Sequence, residues 1–118
     1  MKKANRIKDN KEFSKVIKTG SFLKNNTYRF YYQNSDYNYV RIGIAVSKKL
    51  GNAVIRTTTR RKIRAICDQL IDYKSYSFNL VIVPKTKFLE QDYATNMLEF
   101  ENILEKIIGT KRWRKRQN

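Results

Sequence analysis

Arg56, Arg60 and Arg64 recur every fourth residue, with Arg61 and Lys62 beside them, inside a stretch that carries no acidic residue from Tyr37 to Cys67. Arg41, Lys48 and Lys49 belong to the same stretch. A guanidinium group stays charged at any working pH and offers paired planar donors to a phosphate. A positive run without compensating carboxylates repels itself unless a polyanion is near. The chemistry available here is phosphate binding, and the expected partner is a nucleic acid. Bond-making chemistry has little support, because the chain has no His and one cysteine, Cys67. That leaves no acid–base imidazole and no zinc-ligand set, and Cys67 reads as a small buried apolar residue. Asp68 and Asp72 stand four apart and could share a metal ion or lie solvated near a helix end. A self-sufficient Mg²⁺ nuclease needs more converging carboxylates than these two.

The whole chain repeats the local signal. Its 118 residues hold 26 Lys and Arg against 10 Asp and Glu, a formal charge of +16. Counterion release from a phosphate backbone then drives much of the binding, with affinity falling steeply as salt rises. No apolar run approaches the roughly 20 residues that span a bilayer. The basic start, Met1 to Lys8, is not followed by a signal-type apolar stretch. A cytoplasmic protein with no membrane partner is expected. The length suits one domain, and 41% hydrophobic residues suffice for a core.

The elements that position these cations follow from periodicity. Asp9 and Glu12 form a possible capping box ahead of Phe13, Val16 and Ile17, a short amphipathic helix ending near Gly20. Tyr28, Phe30 and Tyr32 alternate with Arg29, Tyr31 and Gln33, which predicts a strand with one wet face. After turn residues 34–38, Val40, Ile42, Ile44 and Val46 alternate with Arg41, Gly43, Ala45 and Ser47. The two strands are expected to pair as a hairpin. Asn52 is a good N-cap for a helix running to about Leu70, with Ile55, Thr59, Ile63, Ile66, Cys67 and Leu70 on its packing stripe. The arginines lie on the adjacent face, rising about 6 Å per step, a spacing comparable to successive phosphates. Thr57, Thr58 and Thr59 are poor helix formers, each costing about half a kcal/mol against Ala, so tertiary contacts must hold that turn.

Phe78 to Val83 is a continuous apolar run ended by Pro84, as in a buried central strand. Asp92 to Ile108 reads as the last helix, with Tyr93, Met97, Phe100, Leu104 and Ile107 inward. Glu90, Asp92, Glu99, Glu101 and Glu105 gather in and before it, so it should face away from the polyanion. The order describes a small α+β sandwich, one RNA-binding domain over 1–110, followed by a basic tail, 111–118, expected to be disordered when free. A shallow groove lined by Arg29, Tyr31, Arg41 and Ser47 against the first helix would suit a single strand, bases stacking on rings while cations hold the backbone. Alternatively, Tyr31 and Phe13 close a small second core.

The run Val46-Ser47-Lys48-Lys49-Leu50-Gly51-Asn52-Ala53-Val54-Ile55-Arg56, followed by Arg60-Arg61-Lys62-Ile63-Arg64, closely resembles the signature of the bacterial ribonuclease P protein subunit. Arg6-Ile7-Lys8, Phe13, Gly20 and Arg41-Ile42-Gly43 fall in that family's order. The resemblance implies a two-layer α+β sandwich of order αβββαβα with a left-handed βαβ crossover, akin to a ribosomal-protein domain. It implies an RNA-carried, Mg²⁺-dependent hydrolysis that removes the 5′ leader of precursor tRNA, the Mg²⁺ being bound mainly by the RNA. The partners implied are the catalytic RNA and precursor tRNA, not DNA.

By position, the resemblance assigns Lys48, Lys49, Asn52, Arg56, Arg60, Arg61 and Arg64 to the catalytic RNA. It assigns Phe13, Ile17, Arg29, Tyr31, Arg41 and Ser47 to the leader. Thr57 and Thr58 stand where the family usually places Asn and then a basic residue, Arg60 where Lys is usual, and Ile17 where an aromatic is frequent. Altered contacts with the catalytic RNA are expected at positions 57 and 58. A structural ribosomal-type protein, which stabilises folded RNA without meeting a substrate, is the alternative the same basic helix would serve.

Overall fold

The computed structural model describes residues 1–109, so the basic tail 111–118 lies outside the described residues. Four strands, β1 (Ser21–Lys24), β2 (Tyr28–Asn34), β3 (Arg41–Ile44) and β4 (Phe78–Pro84), form one sheet in the order β1-β2-β4-β3. Four helices accompany them: α1 (Asn10–Thr19), α2 (Ala53–Leu70), the short α3 (Lys87–Glu90) and α4 (Tyr93–Ile108). The αβββαβα order is present, with α3 inserted before the last helix.

Leu80 to Val83 is an unbroken apolar run that suits burial on both faces, and β4 lies inside the sheet between β2 and β3. Phe78, Leu80 and Ile82 belong to the larger core and Val81 to a smaller one on the other face. β2 pairs antiparallel with β4, and β3 pairs parallel with β4. The expected hairpin between β2 and β3 is therefore not formed. Period-2 alternation fixes which side chains share a face, but it does not choose the neighbouring strand. Here residues 35–40 pass the start of β4, where Ser77 Oγ donates to the Tyr37 carbonyl oxygen, and deliver β3 to the far side. The hairpin that does form joins β1 to β2, with Phe22 opposite Tyr31 and Lys24 opposite Arg29. Residues 21–24 showed no alternating pattern, and only the family resemblance implied this third strand.

Each major helix follows its caps. The Asp9 carboxylate accepts from Lys11 N at 2.8 Å, Asn52 Oδ1 from Ile55 N at 3.0 Å, and Asp92 Oδ1 from Thr95 N at 2.8 Å. The expected capping box at α1 does not close: Asp9 accepts from Lys11, the second helical residue rather than the third, and Glu12 turns away to Arg41. The inward residues of α2 and α4 pack on one face of the sheet. Thr59, Ile63, Ile66 and Cys67 come from α2, and Phe100, Ile103, Leu104 and Ile107 from α4. Ile55 and Tyr93, expected inward, are each 37% exposed at the helix starts, while Asn96 and Ile103 take inward positions instead.

Tyr28 anchors the larger core. Its ring meets Phe100 edge-on at 5.4 Å, and its hydroxyl donates to the Asn96 carbonyl oxygen at 2.7 Å. Burial pushes that phenol far above its ordinary pKa. α1 covers the opposite face, where Val16, Ile7 and Val81 are buried and Phe13, Ile17, Tyr31, Ala45 and Val83 pack around them.

Candidate nucleic-acid interface

The topology gathers cations at one end of the sheet. β1, β3 and β4 all finish there and β2 begins there, so Lys24, Arg29, Lys85 and the segment after β3 share that end. That segment holds Ser47, which caps a single 3-10 turn, Lys48–Leu50, by accepting from Lys49 N at 3.1 Å. Lys48 and Lys49 are exposed on the turn, and Asn52 then starts α2.

From this end the arginine row runs down α2. Arg56, Arg60 and Arg64 are half-buried, while Arg61 and Lys62 are exposed. Among the described residues none of Lys48, Lys49, Arg56, Arg60, Arg61 and Arg64 forms an ion pair with a carboxylate. Arg56 Nε is buried without a hydrogen-bond partner. Burial, with the charges of Arg6, Arg60 and Arg61, pulls Arg64 below the usual arginine range. These observations describe a crowded positive surface, uncompensated by protein carboxylates, which a row of phosphates would relieve.

Arg6 belongs to this surface although it was not singled out as a binding residue. The first residues lie along the outer edge of β3: Ile7 N donates to the Ile42 carbonyl oxygen at 2.9 Å, and Asn5 Nδ2 to that of Val40 at 2.8 Å. The pairing of Arg6 with Ile42 sets its guanidinium within electrostatic reach of Arg64. Its sequence signal, one arginine in a basic start, carries no periodicity.

Of the three threonines, Thr59 is a core residue whose Oγ1 donates to the Ile55 carbonyl oxygen at 2.8 Å. Thr57 and Thr58 are exposed beside the row.

The proposed leader groove divides. Phe13, Ile17 and Tyr31 are half-buried around the smaller core, so the second core does form and each keeps only part of its surface exposed. Arg29 joins them at the basic end, its Nη1 donating to Tyr31 Oη at 3.3 Å. Ser47 is exposed at the same end of the sheet.

Arg41 does not join this group. It pairs with Asn79 in the register while Arg29 pairs with Val83, four residues along β4, or about 13 Å. Arg41 is held by Glu12 Oε2 at 2.5 Å and lies 4.6 Å from the centre of the Tyr37 ring. It lines a polar recess with Lys15, Gln33 and Asn79 at the opposite end of the sheet from Arg29. Phe22, Lys24 and Lys85 stand at the basic end without having been assigned a role.

Among the described residues no three of His, Cys, Asp and Glu converge. Asp68 receives the Met1 amino group at 2.8 Å and the Tyr73 hydroxyl at 2.8 Å. Asp72 lies beyond the end of α2 and receives Ser75 Oγ. The two carboxylates are thus committed separately rather than presented together on one helical face. No described helix is long and apolar enough to cross a membrane.

Comparison with known proteins gives the family. The Ribonuclease P family profile matches residues 1–108. The ribonuclease P protein component of Mesoplasma florum is 34% identical over 109 residues, covering 92% of this chain and 99% of the relative. That of Streptococcus agalactiae is 37% identical over 110 residues, covering 92% and 98%. The RNase P protein of Staphylococcus aureus superposes with a TM-score of 0.80 at 28% identity, over 89% of this chain and 96% of that one. The Thermotoga maritima protein gives 0.76 at 26% identity, over 86% and 96%. A basic crossover helix on a β1-β2-β4-β3 sheet, matched from the first residue to the end of α4, places the chain in the ribonuclease P protein family, to which it belongs.

Proposed function

We propose that the chain is the RNA-binding subunit of a ribonuclease P holoenzyme that removes the 5′ leader of precursor tRNA. The observation that carries this is the unpaired row Arg56, Arg60 and Arg64 on α2, continuous with Lys48 and Lys49 and flanked by Arg6. That surface supports contact with the catalytic RNA. The half-exposed Phe13, Ile17 and Tyr31, with Arg29 and Ser47 at the same end, support a grip on the leader. The hydrolysis belongs to the RNA and its bound Mg²⁺, and the protein contributes binding and orientation. Acidic α4 packs on the sheet face opposite α1, away from the groove.

Titration of the chain onto a bacterial ribonuclease P RNA tests the assignment of the row. Arg56→Ala and Arg60→Ala should each weaken binding, with the salt slope reduced by about 0.7–0.9 per lost phosphate contact. Lys106→Ala, on α4, serves as the control. Equal effects at all three positions would reduce the interaction to net charge and remove the row's role.

A further inference from the structure

We propose that the exposed edge of the sheet beyond the α1 groove is a base-stacking platform for single-stranded RNA, built by Phe22 and Arg29 and flanked by Lys24 and Lys85. Phe22 lies on β1, the edge strand, and 56% of its surface is exposed. An aromatic side chain of that exposure is not serving a core. Its ring centre is 6.1 Å from that of Tyr31 at an interplanar angle of 42°, and the Arg29 guanidinium carbon lies 5.9 Å from its centre. Phe22, Arg29 and Tyr31 thus form a short ladder of flat groups on the α1 side of the sheet, the arrangement on which unpaired bases stack.

The surroundings select a polyanion. Lys85 Nζ is held at 2.6 Å by the Asn25 carbonyl oxygen, and burial with the charges of Lys24 and Arg29 lowers its pKa. Arg29 Nε is buried without a hydrogen-bond partner. Asn25, whose carbonyl oxygen holds Lys85, turns its Nδ2 to Glu99 Oε2 on α4, behind the sheet, at 3.4 Å. Arg29, Lys24 and Lys85, none of them in an ion pair with a carboxylate among the described residues, stand beside an exposed ring and fit a base and its two phosphates. They do not fit a second copy of this strongly positive chain.

The proposal rests on the leader-binding reading and extends it: a leader that passes Tyr31 meets Phe22 about one nucleotide later. The test uses holoenzyme reconstituted with a bacterial catalytic RNA and precursor tRNAs whose leaders grow one nucleotide at a time. Affinities are compared for the wild type, Phe22→Ala and Phe22→Tyr. Phe22→Ala should lose about 10-fold in affinity, beginning at one leader length and persisting beyond it, and Phe22→Tyr should restore most of it. An abasic nucleotide at that leader position should weaken the wild type similarly and the Phe22→Ala holoenzyme hardly at all.

A loss equal at every length, leaderless tRNA included, would make Phe22 a structural residue and overturn the platform alone. No loss at any length would do the same. A wild-type holoenzyme indifferent to leader length would overturn the leader-binding reading, and the platform with it.

Discussion

The ring of Phe13 rests directly on Gly43: a Cβ at position 43 would lie 2.5 Å from Phe13 Cε2 and 2.9 Å from Cδ2. α1 can approach β3 this closely because position 43 has no side chain. The contact fixes where the groove's aromatic surface stands.

Gly43→Ala should therefore displace the Phe13 ring. The obstructing atoms are the far end of one side chain, so the cost to stability should sit at the low end of overpacking, about 1 kcal/mol. Leader-dependent affinity should fall by more than that cost suggests. Denaturant melts alongside precursor tRNA binding check it, and unchanged leader binding would detach Phe13 from the groove.

Thr57→Asn and Thr58→Arg restore the side chains usual in the family at two exposed positions beside the arginine row. Each should tighten binding to the catalytic RNA. Thr58→Arg should also steepen the salt dependence by about 0.7–0.9. Gel-shift titration at several salt concentrations measures both effects, and no gain from either change would count against α2 as the contact.

Glu12 neutralises Arg41 through a 2.5 Å contact in which the carboxylate is partly exposed. Glu12→Gln should cost about 1 kcal/mol or less, since solvent screens the pair. It should strengthen RNA binding at low salt by removing a negative charge from the α1 side. Weaker binding would mean that the pair positions Arg41 for RNA rather than silencing it.

Hydrogen bonds from Thr95 hold the Asp92 carboxyl below the usual carboxylate range. A depressed folded pKa adds stability that is complete above the unfolded value, about 3.9, and lost as pH falls through the folded value. Asp92→Asn keeps an N-cap acceptor but does not titrate. Thermal melts from pH 7 down to the acid limit should show the wild type losing stability relative to the variant below about pH 4. Parallel curves would contradict the assignment.

Much of this architecture is legible from local pattern. The N-caps Asp9 and Asn52 and the both-face burial of β4 are readable because each is a local property of the chain. The β2–β3 hairpin was misread because alternation is blind to strand order, and β4 displaced β3 as the partner of β2. Of the residues expected to line one groove, Arg29 and Tyr31 lie together on β2, yet Arg41 belongs to the other end of the sheet because β3 runs parallel to β4. Phe22, Lys24 and Lys85 escaped notice because two strands and a loop, 60 positions apart in sequence at the Asn25–Lys85 contact, bring them together.

The most direct measurement is reconstitution of leader removal with a bacterial ribonuclease P RNA at low Mg²⁺, with and without this chain. The account predicts that the chain accelerates 5′ leader removal, and that Arg56→Ala with Arg60→Ala abolishes most of that stimulation. Failure of the chain to stimulate cleavage, while it still binds the RNA, would contradict the account and leave a structural RNA-binding role in its place.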